Sequence, residues 1–189
     1  LSRLFAQLPG VQVTVADGTY EALLHQLRHG DLDLVVGPLR GERAPADIAE
    51  ELLFVDRLVP VVRGGHPLLG GDRAARPVRR RSLRTLLAWP WIGPLPDTPA
   101  RAAFERAFMA AGLAVPAVGL QVNSPAVVRS VLLSGDSIAL LSALQIRGEV
   151  ASGLLTVLPV PMQGTERPIG LMQRRDGLAP QVLQTLLDE

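Results

Sequence analysis

Residues 119–142, GLQVNSPAVVRSVLLSGDSIALLS, decide how this chain is read, because residues 18–37, GTYEALLHQLRHGDLDLVVG, repeat their plan. Ser124 falls on Thr19, Gly135 on Gly30, Asp136 on Asp31, and Ala139-Leu140-Leu141 on Leu34-Val35-Val36. Thr19 and Ser124 are hydroxyl residues of the type that caps a helix start, where a side-chain oxygen accepts from one of the four amides left unpaired. Gly30 and Gly135 suit the left-handed position that ends a helix. The short apolar run after each Gly-Asp predicts a strand covered on both faces, as in a parallel sheet. Two copies of one helix-strand unit predict two similar lobes.

Composition narrows the function classes. The 189 residues are 48% apolar and 20% charged, ordinary for an α/β protein able to bury a core. All 19 basic residues are arginine and nearly cancel 18 acidic ones, so no global field draws the chain to nucleic acid. The absence of cysteine excludes disulfides and thiolate chemistry and fits a reducing compartment. The absence of lysine excludes Schiff-base chemistry. Residues 107–128 carry no charge, but Gly112, Pro116, Gly119, Gln121, Asn123 and Pro125 interrupt any membrane helix there. Leu1 falls inside a helical pattern with no initiator Met and no signal-peptide pattern, so the chain reads as part of a longer one.

Taken in order, Leu1, Leu4, Phe5 and Leu8 predict a helix closed by Pro9-Gly10, and Val11, Val13 and Val15 alternate as a strand. After the first repeat, Leu52–Val55 and Leu58–Val62 form two β-rich runs joined through Asp56-Arg57, read as a lobe-one strand running on into a crossing strand. A turn-rich segment follows, with Arg73, Arg76, Arg79, Arg80, Arg81 and Arg84, then a short helix over 82–87 and a strand at PWIG. Thr98-Pro99 open a helix with Ala103, Phe104, Ala107 and Phe108 on its apolar side and Gly112 as its stop. Beyond the second repeat, a helix over 143–151, a strand over 155–160 that crosses back, a strand over 169–172 and a closing helix over 180–187 are expected. Lobe two then has strand, helix, strand, helix, strand, whereas lobe one begins at its helix. Its opening strand is expected upstream of Leu1.

GDLDLVVG, LVPVVRGGHPL, PWIG and NSPAVVRSVLLSGDSIALLS, taken together, resemble the effector-binding domain of LysR-type transcriptional regulators, and the likeness covers essentially the whole chain. The resemblance implies an α/β fold of two Rossmann-like lobes joined by two crossing strands, like a type 2 periplasmic binding protein. Lobe one would hold residues 1–59 and 160–189, and lobe two residues 60–159. It implies a small effector bound between the lobes and no cofactor or catalysis. DNA would be contacted only through an N-terminal winged helix-turn-helix outside this chain. It also implies a cytoplasmic homodimer or tetramer through the first helix and the 143–150 helix, involving Leu1, Leu4, Phe5, Leu8, Leu144 and Arg147. Packing inside one chain would bury those apolar positions equally well.

In such a fold, small ligands meet the carboxyl ends of strands and the starts of helices. This points to Gly37, Pro38 and Leu39 in lobe one, and to Gly93, Pro94, Thr98, Asn123, Ser124 and Pro125 in lobe two. Amides and hydroxyls there suit a small carboxylate or sugar-like compound, while Thr98 and Ser124 would serve as helix caps in any case. His25, His29 and Glu21 have metal-compatible helical spacing, which a polar helix face explains as well. The Asp31/Asp33 and Glu50/Glu51 pairs read as solvated acids rather than acid-base machinery, and the arginine cluster as a solvated or oligomer-facing loop. Of Trp89 and Trp91, at least one is expected in the core. Two rivals share the architecture. An exported solute-binding protein would need a signal peptide upstream, and a two-lobed enzyme would need a cleft nucleophile or acid-base pair.

Overall fold

Both ends of the first repeat helix form as expected in the computed structural model, which describes residues 2–8, 10–70 and 82–177. The Thr19 hydroxyl accepts from Ala22 N at 3.3 Å ahead of α2 (Tyr20–His29), which follows a short α1 (Ser2–Gln7). Gly30 ends α2 in the left-handed conformation, φ 81°, with its amide directed to Gln26 and Leu27 carbonyls. At the second repeat, the Ser124 hydroxyl caps α4 (Pro125–Ser134) weakly, at 3.5 Å. Gly135 departs from expectation: it is extended, with φ −150°. The next residue explains the difference. Asp136 accepts from Arg63 at 2.7 Å through its carboxylate and is bonded through its carbonyl to the buried His66 ring at 3.0 Å, so the chain leaves α4 straight toward these partners.

This difference is testable. Gly30→Ala is expected to lose about 1 kcal/mol, because a Cβ disfavours the left-handed region. Gly135→Ala is expected to stay within about 0.5 kcal/mol, because a Cβ there meets its nearest atom at an ordinary 3.7 Å. Urea denaturation of both variants checks this, and equal losses would refute the distinction.

The chain divides into two compact units, with breaks between Phe54 and Val55 and between Arg167 and Pro168. Two strands pass through those breaks: β2 (Ile48–Arg63) and β7 (Glu166–Arg174), with β1 (Val35–Pro38) preceding them in the chain. The expected crossing strands are therefore present, but the return crossing is β7. Residues 155–160 do not cross. Within them, β6 (Leu155–Val157) stays in unit two and pairs antiparallel with β2, and Pro159 and Pro161 beyond it have no amide with which to extend a ladder.

In unit one, β7 lies between β1 and β2. β1 pairs antiparallel with β7, with Val35 opposite Met172 and Pro38 opposite Ile169. Its expected parallel pairing is not found among the described residues, and Val36 is 55% exposed, so one face is uncovered. Residues 11–15 join no strand ladder. Alternation gives β propensity, but a strand also needs a partner, and Val15 is 75% exposed. The core of unit one is Leu24, Leu27, Val35, Ile48 and Met172.

Unit two has a mixed sheet in the order β2-β5-β3-β4, where β3 is Trp91–Gly93, β4 Val118–Gln121 and β5 Ile138–Ser142. β3 runs parallel to both β4 and β5, as the second repeat predicted, and β2 runs antiparallel to β5. Alternate residues feed two cores. Trp91, Ile138 and Leu140 face α3 (Pro99–Ala110) with Phe104 and Phe108, whereas Ile92 and Ala139 face α4 with Val128 and Leu132. The helix expected over 143–151 is shorter, α5 (Arg147–Ala151), because the Ser142 hydroxyl accepts from Gln145 N at 3.3 Å and holds residues 143–146 in turns. The segment over 82–87 is a 3₁₀ helix at Leu83–Ala88. Leu1, the expected helix over 180–187 and the basic cluster apart from Arg84 lie outside the described residues. No helix among the described residues is long and apolar enough to cross a membrane.

Candidate functional site

Parallel strands collect their loops at one edge. β3 and β4 are neighbours, with Gly93 opposite Gln121 and Val122 N donating to Gly93 O at 3.1 Å. The loops that follow them, residues 93–98 and 122–125, therefore lie side by side in unit two. Each leads to a helix with a hydroxyl at its start and proline in its first turn. Six expected residues, Gly93, Pro94, Thr98, Asn123, Ser124 and Pro125, are brought to this edge.

Their roles separate once the bonds are counted. Thr98 Oγ1 donates to Leu95 O at 2.8 Å and accepts from Arg101 N at 3.1 Å, so both its functions serve the local turn. Ser124 Oγ accepts only the long contact from Val127 N, which leaves its hydrogen free for another acceptor. Ala126 N, in the same first turn, meets no acceptor among the described residues. Gly93 is required for packing, since a Cβ would stand 2.7 Å from Val118 Cγ1. Asn123 and Pro125 are exposed and Pro94 is half-buried. What this edge offers is one free hydroxyl, an exposed amide side chain and the positive end of α4, which suits a polar or anionic group.

In unit one, Gly37 and Pro38 close β1 opposite Gly170 and Ile169. Leu39 turns inward. Its amide donates to Pro168 O at 2.9 Å, and its side chain fills the space that a Cβ on Gly170 would need. Arg40 then meets the start of α2, its guanidinium 4.2 Å from the Tyr20 ring centre. Glu50 accepts from the amides of Arg40 at 3.0 Å and Gly41 at 2.9 Å and so fixes this loop. The Tyr20 hydroxyl is buried with no partner among the described residues. Burial pushes its pKa up, and Glu50 adds to this, while Arg40 and Arg28 oppose it. Tyr20 and Arg40 were missed in the sequence, although Tyr20 is the one tyrosine and stands directly after the cap Thr19, and Glu50, read there as a solvated acid, is half-buried and bonded to the loop amides.

Other candidates resolve into structural roles. The His25 and His29 rings stack 4.1 Å apart and His29 Nδ1 lies 2.8 Å from His25 O. Among the described residues, no three His, Asp or Glu converge as metal ligands. Glu51, Asp31 and Asp33 do not form a buried acid pair: Asp31 and Asp33 are exposed, and Glu51 is exposed on β2. Trp91 is core, donating through Nε1 to Leu86 O at 3.1 Å, while Trp89 rests on His66 at 4.6 Å. Phe5, Leu144 and Arg147 are exposed, Leu8 is half-buried, and the Leu4 side chain lies outside the described residues.

Unit two also holds a buried polar cluster that the sequence did not reveal. Asp56, 3% exposed, accepts from Ser142 Oγ at 2.9 Å through Oδ1 and from Arg167 Nη2 at 2.6 Å through Oδ2. The only sequence signal was Asp56-Arg57 interrupting two apolar runs. Beside the cluster, an open recess of about 430 Å³ is lined by Arg57, Leu58, Pro60, Leu158, Val160 and Met162, among others.

Comparison with known proteins adds the following. A sequence profile described as LysR substrate binding domain matches residues 1–189. Over 172 residues the chain is 37% identical to the HTH-type transcriptional regulator GalR of Pseudomonas putida. The match takes in 91% of this chain and 41% of that protein, so the chain spans less than half of its length. Among solved structures, the Synechocystis PCC6803 CcmR regulatory domain in complex with 2-PG matches 99% of this chain and 85% of that one. Its TM-score is 0.76 at 21% identity. The effector binding domain of QuiR in complex with shikimate matches 90% of this chain and 76% of that one, with a TM-score of 0.70 at 18% identity. At such identities these two likenesses are of fold.

Proposed function

Since the chain belongs to the LysR substrate binding domain family, we propose that it is the ligand-sensing part of a bacterial transcription regulator that responds to a small polar molecule. The match of the family profile along all 189 residues carries this reading. Membership in a ligand-binding family argues against the enzyme rival. The GalR likeness favours a regulator over an exported binding protein.

The proposed ligand contacts are Gly37, Pro38 and Leu39 in unit one, with Tyr20 and Arg40 beside them. In unit two they are Asn123, Ser124 and Pro125, with Gly93, Pro94 and Thr98 shaping their surroundings. Ser124 and the start of α4 supply a hydroxyl and dipole for an anionic or hydroxylated group, and CcmR and QuiR were each solved with a small molecule bound. A carboxylate or sugar-like compound is the ligand class proposed. Binding would act by favouring one conformation of the domain, limited by the ligand's differential affinity for the two. The proposal extends to a cytoplasmic homodimer or tetramer through Leu1, Leu4, Phe5, Leu8, Leu144 and Arg147, with DNA contacted by a domain outside this chain.

Thermal unfolding against a panel of small carboxylates, sugar acids and neutral sugars tests this. A ligand at a hundred times its dissociation constant is expected to add about 2.7 kcal/mol. Ser124→Trp is expected to abolish that gain while unfolding near the parent temperature without ligand. If the gain persists in Ser124→Trp, Ser124 is not part of the site. If no member of the panel stabilises the parent, the proposed ligand class falls.

A further inference from the structure

Two ion pairs tie the same two strands together just after the chain enters unit two. Asp56 on β2 meets Arg167 on β7 in the interior, and on the other side Arg57 meets Glu166 at 2.8 Å near solvent. Arg57 holds the Glu166 carboxyl below its ordinary pKa. Backbone bonds run along the same level, from Leu58 N to Thr165 O at 3.1 Å and from Ala143 N to Arg57 O at 3.0 Å. Ser142 links this level to β5, whose end lies at the edge that carries the loops of Thr98 and Ser124.

Toward unit one the situation reverses. Leu52, Leu53, Phe54 and Val55 are all exposed, so little packing holds that part of β2. On β7 the first residue past the break is Pro168, which has no amide to give to a ladder. The buried pair need not add net stability, since apolar side chains of similar volume commonly serve a buried site as well or better. Arg167 Nε even lacks a partner among the described residues. What the pair adds is direction: a guanidinium and a carboxylate hold two strands in one register.

We infer that Asp56, Arg167 and Ser142 form a positioning cluster that makes the first residues of both passages part of unit two. Bending between the units is thereby confined to residues 53–55 and to the junction of Arg167 with Pro168, whose carbonyl is already held by Leu39 N in unit one. The loop edge of unit two and the roots of both passages then move as one piece. This does not rest on the small-molecule reading, because it concerns the chain's own passages whether or not a ligand is sensed.

Hydrogen–deuterium exchange on the full chain tests it without any ligand. In the parent protein, amides of residues 53–55 are expected to exchange faster than those of 56–58, and the reverse order would overturn the inference. The double variant Asp56→Leu/Arg167→Met removes the directional pair but fills its space. In it, amides of residues 56–58 and 165–167 are expected to exchange about tenfold faster while those of 138–141 keep their rates. Unchanged rates would mean that packing alone holds the passages, and an even rise over both units would mean general destabilisation. Either result overturns the assignment. Should the double variant not fold, Arg167→Lys is read instead, since it keeps the charge and loses the planar fork. The same local acceleration then supports the cluster, and its absence overturns it.

Discussion

Asp56→Ala is expected to lower the unfolding free energy by about 3–5 kcal/mol, the range for breaking a buried ion pair from one side. The loss arises from what is left behind. The Arg167 guanidinium, whose side chain is 15% exposed, keeps its charge with no carboxylate, and the Ser142 hydroxyl loses its acceptor. Asp56→Leu/Arg167→Met removes both charges and is expected to fall within about 1 kcal/mol of the parent or above it. Urea denaturation of the two variants gives the comparison. A single-variant loss under about 1 kcal/mol would show that the pair is solvated rather than buried. A double variant as unstable as the single one would show that the pair is itself a net source of stability.

The second large effect is expected at Phe104. Trp91, Phe104 and Phe108 are each no more than 1% exposed, and their ring centres lie 5.2 to 5.3 Å apart in edge and tilted contacts. Phe104→Ala is expected to lose about 3–5 kcal/mol through lost transfer energy and the cavity that remains. Phe104→Leu keeps most of the volume and is expected to lose no more than about 1.5 kcal/mol. Phe5, 48% exposed, supplies the control, since Phe5→Ala is expected to change stability by less than about 0.5 kcal/mol in the monomer. Comparable losses at the two phenylalanines would contradict the placement of the unit-two core.

What could be read from the sequence was local. Thr19, Thr98 and Ser124 all cap helices as their residue type and position implied, since a cap is decided within four residues. The two Gly-Asp pairs show where local reading ends. Glycine permits the left-handed turn without requiring it, and at Gly135 the choice is made by Arg63 and His66, distant in sequence. Residues 11–15 had the alternation of a strand, but a ladder depends on a second segment that alternation does not name. The early end of β6 was legible in Pro159 and Pro161, and the shortened α5 was not, because it follows from one hydroxyl bond at Ser142.

The candidate site divides in the same way. Loops after strands were found from pattern alone, and in unit two they do lie side by side. Which residues in them remain available for a ligand was not legible. Thr98 and Ser124 looked equivalent until Leu95 O was seen to take the threonine proton. Arg40 met Tyr20, and Arg167 met Asp56, only through tertiary structure.

The interruption of unit one by unit two also bears on the order in which the chain can fold. Unit two is one continuous stretch, whereas the β1-β7 ladder of unit one joins segments from opposite sides of it. Formed first, that ladder would have to close a loop containing all of unit two as open chain, an entropic cost that grows with the logarithm of loop length. If unit two forms first, Asp56 and Arg167 already hold its two ends together, and the remaining search is short. The same pair that fixes two strands in the finished protein thus acts during folding as a clasp, turning a long-range closure into a nearly local one.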